Sequence, residues 1–229
     1  MMRKFALSVL FLAAIAASPF VAPDSAVAQQ GRDHDQRILI DKAAAVVGPM
    51  RHDPNFTYSG RLLARAKAVM IVPELTKGGL IVGGQGGAAV LVVKRPDGSW
   101  SEPAFYSLGG GTLGLQAGVQ QAQTVFFIMT GRALDEWMHD QVHFGGQDGI
   151  GVFVVGQENK QNALTADTAD VVAWVHASGV YGGITVEGTS ISFDRDATAK
   201  YYGRPLSPEQ VFNGAAHNPH ANRLRSALR

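Results

Sequence analysis

Apolar and polar residues alternate along the chain at two spacings, one helical and one extended. Residues 36–47 are rich in helix formers, and their spacing predicts an amphipathic helix. Four apolar side chains share one stripe of that helix: Leu39, Ala43, Val46 and Val47. Asp33 stands where it can cap the helix, and Gly48-Pro49 is expected to end it. A second short amphipathic helix is predicted over residues 59–66.

From residue 68 the pattern changes to short apolar runs rich in branched residues, which are typical of buried strands. The predicted strands cover residues 69–72, 80–82, 88–93, 100–108, 124–129, 151–155, 170–176, 180–186 and 190–193. Thr130 is expected to cap one helix, Ser207-Pro208 to begin another, and residues 218–228 to form a basic C-terminal helix. Strands outnumber helices and do not alternate with them. The sequence therefore predicts an α+β fold with a mainly antiparallel, glycine-rich sheet between helical ends.

The first 28 residues have the pattern of a secretory signal peptide. Two basic residues precede an apolar run over residues 5–17, and Ala26-Val27-Ala28 is a small-x-small cleavage pattern. An uncleaved membrane anchor is the alternative, but the run is short for a spanning helix and prolines follow it. We expect export to the periplasm, with a helical segment over 29–58, a β-rich domain over 59–203 and a helical tail over 204–229.

Composition and charge exclude several classes of protein. Hydrophobic residues make up 46% of the chain and charged residues 17%, which excludes a mainly disordered protein. Cysteine is absent, which excludes disulfides, zinc–thiolate sites and thiol nucleophiles. Basic and acidic residues balance after residue 28, which argues against a general nucleic-acid binder. Basic residues exceed acidic ones in 29–99 and 171–229, an arrangement that suits an anionic surface but also arises on ordinary solvated faces.

The residues that could carry catalysis do not form a complete site. Residues 109–114 fit G-x-G-x-x-G, but a strand-like alternation follows where a dinucleotide site needs a helix. His139 and His143 are four residues apart, whereas a metal site needs three or four converging ligands. Asp135 and Glu136 are better explained as acidic residues early in a helix. The sequence therefore predicts a non-enzymatic protein without catalytic residues, metal or cofactor.

A series of short motifs runs in a characteristic order between residues 59 and 203. The motifs are Ala66-Lys67-Ala68-Val69, Lys77-Gly78-Gly79-Leu80, Gly83-Gly84-Gln85-Gly86-Gly87-Ala88, Trp100-Ser101-Glu102-Pro103-Ala104-Phe105, Gly114-Leu115-Gln116-Ala117-Gly118, Gly179-Val180-Tyr181-Gly182-Gly183, Glu187-Gly188 and Tyr201-Tyr202-Gly203. In this order they resemble the SYLF domain, also called the Ysc84 or DUF500 lipid-binding family. Two positions depart from the family pattern: Lys67-Ala68 replaces the common Lys-Gly, and Gly156-Gln157 the common Gly-Pro.

The resemblance implies a phospholipid-binding protein, with phosphoinositides as the usual ligand and actin as a partner of some eukaryotic members. Membrane contact in relatives is attributed to an amphipathic N-terminal helix and to basic residues. The matching positions here are Arg37, Leu39, Lys42, Val46 and Lys77. Because a periplasmic protein meets neither actin nor phosphoinositides, the expected partner is an anionic bacterial phospholipid membrane.

Two questions stay open from the sequence. The apolar stripe of the first helix must be buried either in lipid or against the sheet, and the sheet is favoured because amphipathic helices of globular proteins are commoner. The protein could also act as a structural or assembly module of the cell envelope, through a protein partner.

Overall fold

The computed structural model describes residues 33–79, 82–113, 118–139, 141–143, 150–155, 165–178 and 189–229. The predicted signal peptide, the strand predicted over 180–186 and the motifs at 179–183 and 187–188 lie outside these ranges. The helices are α1 (His34–Arg51), α2 (Ser59–Arg65), α3 (Gly131–Met138), α4 (Arg195–Tyr202), α5 (Pro208–Phe212) and α6 (Asn222–Ala227), with a 3-10 turn at Pro219–Ala221. The strands are β1 (Ala68–Gly79), β2 (Val82–Val93), β3 (Ala104–Leu113), β4 (Gly118–Ile128), β5 (Gln141–His143), β6 (Val152–Val154), β7 (Val171–Ser178) and β8 (Thr189–Phe193).

All eight of these strands form one sheet, in the order β5-β8-β3-β2-β1-β4-β7-β6. Neighbouring strands run antiparallel except β6 and β7, which are parallel. The predicted α+β class with a mainly antiparallel sheet is confirmed. The central strands are longer than predicted, because the glycine-rich stretches continue the pairing, with Gly78 opposite Gly84 and Gly84 opposite Gly111.

The sheet carries a hydrophobic core on each face, because successive side chains of a strand point to opposite sides. In β1, Met70 belongs to the core that includes Trp137 of α3 and Val211 of α5. Val69, one residue earlier, belongs to the core on the other face, which includes Leu224 of α6 and the buried stripe of α1. Helices therefore cover both faces, and the sheet is buried between them.

Helix α1 packs its predicted apolar stripe against the sheet. Ala43, Val46 and Val47 are at most 2% exposed, and Leu39 is partly buried against the same core. Within the described ranges, no helix is long and apolar enough to cross a bilayer. The stripe is therefore part of the core in this structure.

The prediction that Gly48-Pro49 ends the first helix was wrong, since α1 continues to Arg51 with Pro49 inside it. A proline within a helix removes one main-chain hydrogen bond. Two features stabilise the last turn in spite of that loss. Met50 is fully buried, and the main-chain N–H of His52 donates to the carbonyl of Gly48 at 3.2 Å.

Strand β1 contains a bulge at its middle. Its pairing with β2 shifts register between Ile71 and Thr76, and its pairing with β4 shifts between Val72 and Leu75. Pro73 lies at this bulge. Proline is tolerated at bulges because the hydrogen-bond ladder between the strands is already interrupted there. The bulge brings the carbonyl of Glu74 so close to Gly87 of β2 that a Cβ at that glycine would lie 2.6 Å from the carbonyl oxygen.

We expect Gly87→Ala to destabilise the protein by about 1–3 kcal/mol, because the added methyl group overlaps a main-chain oxygen that the sheet holds in place. Thermal or urea unfolding measures the loss. Gly109→Ala is the matched control, since a Cβ on that β3 residue would meet nothing within 4 Å. Equal stability of the two variants would show that the bulge moves at little cost.

The C-terminal segment is bound to the domain through Glu102, whose side chain is 2% exposed. Its Oε1 accepts from Arg225 Nη1 at 3.0 Å and lies 2.8 Å from His217 Nδ1. The main-chain N–H of Asn218 donates to the other oxygen at 3.3 Å. Residues after 203 therefore share the core and the buried polar contacts of the residues before them.

Candidate membrane-binding surface

The structure does not gather the five predicted lipid-binding residues on one surface. Arg37, Leu39 and Lys42 lie on α1, and the last two line the same cleft. Val46 is 1% exposed and would contact lipid only if α1 left the sheet. Lys77 lies near the end of β1, and its side chain is outside the described part of the structure.

Both predicted cations of α1 are paired with carboxylates. The Nζ of Lys42 donates to the two carboxylate oxygens of Glu74 at 2.8 and 2.9 Å. The Nε of Arg37 lies 2.9 Å from the Oδ1 of the fully buried Asp33, and this hydrogen bond keeps the pKa of Arg37 above its ordinary value. The Asp33 side chain caps no N–H of α1, so its predicted capping role was wrong. Paired in this way, the two cations add little positive field outside the protein.

The cleft beside α1 is acidic rather than basic. It has a volume of about 300 Å³ and includes Ile38, which is 40% exposed, together with Leu39 and Lys42. Among the described residues that line it, Lys42 contributes an ammonium group, and three residues contribute carboxylates: Asp35, Glu74 and Asp194. A surface with this balance of charge does not attract anionic phospholipid.

A basic surface lies elsewhere, at the end of the sheet where α1 and α2 finish. We define the basic end by the cationic residues at or beside these helix and strand ends: Arg51, Arg61, Lys67, Lys94, Arg95 and Arg229. The guanidinium of Arg95 lies toward Gly214, where a Cβ would be 3.7 Å from its Nη2. The strand pairing accounts for part of the cluster, since the main-chain N–H of Lys94, just after β2, donates to the carbonyl of Lys67, just before β1, at 2.7 Å. Arg51, Lys94 and Arg229 line one cleft. Residues far apart in sequence therefore contribute to one positive surface.

Lys94 is fixed by main-chain oxygens and by an aromatic ring rather than by a carboxylate. Its Nζ donates to the carbonyls of Leu63 and Ala64 at 2.5 and 3.0 Å, and lies 4.8 Å from the centroid of the Trp100 ring. Burial lowers the pKa of Lys94 from its ordinary value.

The other cations of the basic end also lack a carboxylate side chain as partner among the described residues. Arg51 Nη2 donates to an oxygen of the carboxylate of Arg229, the last residue, at 2.5 Å, and the guanidinium of Arg61 lies 5.7 Å from the centroid of the Tyr58 ring. The acidic groups close in sequence or space are Asp53, Asp97, Asp167 and the carboxylate of the last residue. Three of these are already bound, Asp53 by Trp174, Asp167 by Arg65 and the carboxylate of the last residue by Arg51. Cations outnumber acidic groups at this end, so a positive field remains.

Part of this arrangement has a purely structural reason. Arg51 lies in the last turn of α1, and Lys94 binds the last carbonyls of α2, where the helix dipole favours a positive charge. Lys67 directly follows Ala66, the C-cap residue of α2, and is favoured in the same way. The same reason does not apply to Arg95, which lies beside the end of β2. Helix ends therefore explain three of the cations and leave Arg61, Arg95 and Arg229 without such a reason.

The positions of three cations beside predicted strand ends indicate this surface in the sequence. Counting basic and acidic residues over long segments did not use those positions. Lys67 lies two residues before the strand predicted over 69–72, and Lys94-Arg95 directly follows the strand predicted over 88–93. The start of one strand and the end of its antiparallel neighbour lie side by side at the same end of a sheet. Reading the charges by strand end would have placed these three cations together.

Comparison with known proteins gives the family. Residues 109–229 match the family model for Ysc84, described as "Las17-binding protein actin regulator". The chain is similar to LAS seventeen-binding protein 3 of Saccharomyces cerevisiae (strain ATCC 204508 / S288c), with 28% identity over 163 residues, covering 70% of this chain and 35% of the relative. It is also similar to SH3 domain-containing YSC84-like protein 1 of Homo sapiens, with 23% identity over 170 residues, covering 74% and 49%. The chain thus spans half or less of the length of these curated relatives.

The names of the family and of these relatives describe binding and regulation, and none of them names a reaction. The matched segment begins within β3 and includes β4 and the whole C-terminal part that Glu102 binds to the sheet. It covers more than half of the chain, and the predicted resemblance is confirmed. The chain belongs to the Ysc84 family, whose domain is also called SYLF.

Proposed function

We propose that this chain is a non-enzymatic binding protein that attaches to anionic phospholipid surfaces of the cell envelope through the basic end. The observation that carries the proposal is the difference between two sets of cations. Those of α1 are paired with Asp33 and Glu74. In the basic end, Lys94 binds main-chain oxygens and Arg61 lies over an aromatic ring, while Arg51 is paired with the carboxylate of the last residue. Membership of a family known by binding roles supports the non-enzymatic part.

The expected mechanism is electrostatic and reversible. A lysine or arginine close to an anionic bilayer contributes about 1 kcal/mol, so the cations of the basic end together support useful affinity. This attraction falls off within a Debye length of about 8 Å at physiological ionic strength. The basic end must therefore face the bilayer directly. Helix α1 keeps its stripe on the sheet and need not insert.

The proposed location is the periplasm, which the signal-peptide pattern over residues 1–28 supports. In that compartment we do not propose the Las17 and actin partners that the relatives' names describe. N-terminal sequencing of protein from the envelope fraction tests the location. A mature chain that begins at Gln29 supports it, and an intact Met1 contradicts it.

An envelope protein partner is the second candidate, and one observation favours it. The acidic cleft beside α1 exposes Ile38 next to the half-buried Leu39, and an exposed large apolar side chain beside fixed charges suits a protein contact. This contact would use a surface separate from the basic end.

Vesicle co-sedimentation of the mature chain tests the proposed function. We expect binding to vesicles that contain phosphatidylglycerol or cardiolipin and none to pure phosphatidylcholine. Binding should disappear as salt shortens the Debye length from about 10 Å at 0.1 M to about 3 Å at 1 M. Equal binding to neutral and anionic vesicles, or binding unchanged at 1 M salt, would contradict the electrostatic mechanism.

A further inference from the structure

Within the basic end lies a cleft of about 240 Å³ between α2, the β2–β3 turn and the end of the chain. Its walls carry the cationic side chains of Arg51, Lys94 and Arg229, and among the described residues no acidic side chain lines it. The negative group beside it is the carboxylate of Arg229, which accepts from Arg51. The remaining lining residues are small, apolar or aromatic: Gly60, Leu63, Ala64, Gly98, Trp100 and Leu228. The cleft therefore differs in charge from the acidic cleft beside α1.

The cations of this cleft have hydrogen-bond donors to spare. An ammonium group has three N–H donors, and the main-chain oxygens of α2 accept two of those of Lys94. A guanidinium has five donors, of which Arg51 uses one on the carboxylate of Arg229. Two guanidiniums and one ammonium line this small volume, against the one carboxylate of Arg229, so a positive charge remains. That charge suits a phosphate group, which arginine binds through two parallel hydrogen bonds.

The cleft is already shaped before any ligand arrives. Trp100 is 3% exposed, and its indole Nε1 donates to the carbonyl of Leu228 at 3.2 Å, so the ring is a fixed wall. Lys94 is held over that ring by the two α2 carbonyls. The glycines leave room, since a Cβ at Gly60 or Gly98 would meet nothing within 4 Å. Fixed donors around open space reduce the ordering that binding would otherwise require.

We propose that this cleft binds the phosphate group of a phospholipid headgroup, with Arg51, Lys94 and Arg229 as its donors. The inference rests on the proposed function and adds a specific site to it. A headgroup held beside Trp100 fixes the orientation of the basic end on the bilayer, whereas the surrounding cations attract any anionic surface.

The tryptophans of the chain provide an internal reference for the test. Trp137 lies in the core on the opposite face of the sheet, and the indole of Trp174 donates to Asp53 at 2.7 Å. We would follow the three indole N–H signals of the ¹⁵N-labelled mature chain by NMR during titration with glycerol 3-phosphate, and separately with glycerol and sodium chloride at matched ionic strength. We expect a saturable shift of the Trp100 signal with the phosphate ester alone, and steady signals from the other two. A Trp100 signal that does not saturate, or equal shifts of all three, would overturn the proposal.

A pair of variants separates this site from the general charge of the basic end. Arg51→Gln and Arg61→Gln each remove one cation from it, but only Arg51 lines the cleft. We expect Arg61→Gln to keep the Trp100 response and to lose about fivefold in affinity for anionic vesicles. Arg51→Gln should abolish the Trp100 response and lose tenfold or more. Equal behaviour of the two variants would overturn the site and leave the proposed function standing.

The titration and the vesicle assay can fail separately. If the wild-type chain shows the saturable Trp100 shift but binds no vesicle, the cleft binds a phosphate ester, and the proposal that this ester belongs to a phospholipid is wrong. If it binds anionic vesicles without that shift, the lipid proposal stands and the cleft is not its headgroup site. The wild-type titration needs no variant, so a loss of folding in Arg51→Gln does not affect its outcome.

Discussion

Val46→Glu is expected to unfold the domain. The side chain is 1% exposed in the core between α1 and the sheet, where it belongs to the same cluster as Ile71 and Phe127. A carboxylate buried there without a partner costs several kcal/mol, which is comparable with the whole stability of a typical domain, about 5–15 kcal/mol. Circular dichroism melting of the mature chain measures the loss.

The neighbouring residue gives the control. Ala45 is exposed on the outer side of α1, so Ala45→Glu should change stability by about 0.5 kcal/mol or less. Leu39→Glu should fall between the two, because Leu39 is only partly buried. A Val46→Glu variant that keeps its melting temperature and loses vesicle binding would mean that the stripe faces lipid, against the packing described above.

Neutralising three cations of the basic end is expected to reduce affinity for anionic vesicles by roughly two orders of magnitude. The variant combines Arg61→Gln, Lys67→Gln and Arg95→Gln, and each lost cation removes about 1 kcal/mol of attraction. Among the described residues none of the three has a carboxylate within ion-pair distance, so we expect little change in melting temperature. Co-sedimentation at low salt, across a range of lipid concentrations, measures the affinity.

The control removes the same net charge from paired positions. Lys42→Gln, Arg132→Gln and Arg223→Gln together delete cations that are paired with carboxylates: Glu74, Asp170 and Asp41 respectively. We expect this triple variant to retain most of its vesicle binding, because the carboxylates paired with its cations already offset their charge. Equal losses in the two triple variants would show that net charge, rather than its location, determines binding.

Local pattern was enough to predict the class of the fold and the buried side of α1. The 3.6-residue spacing of Ala43, Val46 and Val47 indicates a face that must be covered, and the structure covers it with the sheet. Thr130 caps its helix as predicted, with its side-chain oxygen 3.2 Å from the main-chain nitrogen of Ala133. The helix predicted to begin at Ser207-Pro208 does so, and the side-chain oxygen of Ser207 lies 3.3 Å from the main-chain nitrogen of Gln210. These features depend on neighbours in sequence, which is why the sequence predicts them.

Features that depend on distant partners were not predictable in the same way. Pro49 is tolerated because Met50 is buried, and that burial is decided by the sheet and by α6. Gly78 and Gly79 continue a strand because Gly84 and Gly83 pair with them, whereas glycine by itself weakens strands. The basic end likewise depends on strand register and on a chain end that returns to Arg51. Charge counts along the segments could only show that the ends were positive.

The surface that faces the membrane can be identified with single fluorescent labels, because the chain has no cysteine of its own. Gly60→Cys places a label at the basic end, where a Cβ meets nothing within 4 Å. Ile38→Cys places one on α1 in the acidic cleft, at an exposed position. With an environment-sensitive dye at each site, anionic vesicles should change the emission of the label at 60 and leave that of the label at 38 as it is in solution. A response at 38 with none at 60 would contradict the account and assign the membrane contact to α1.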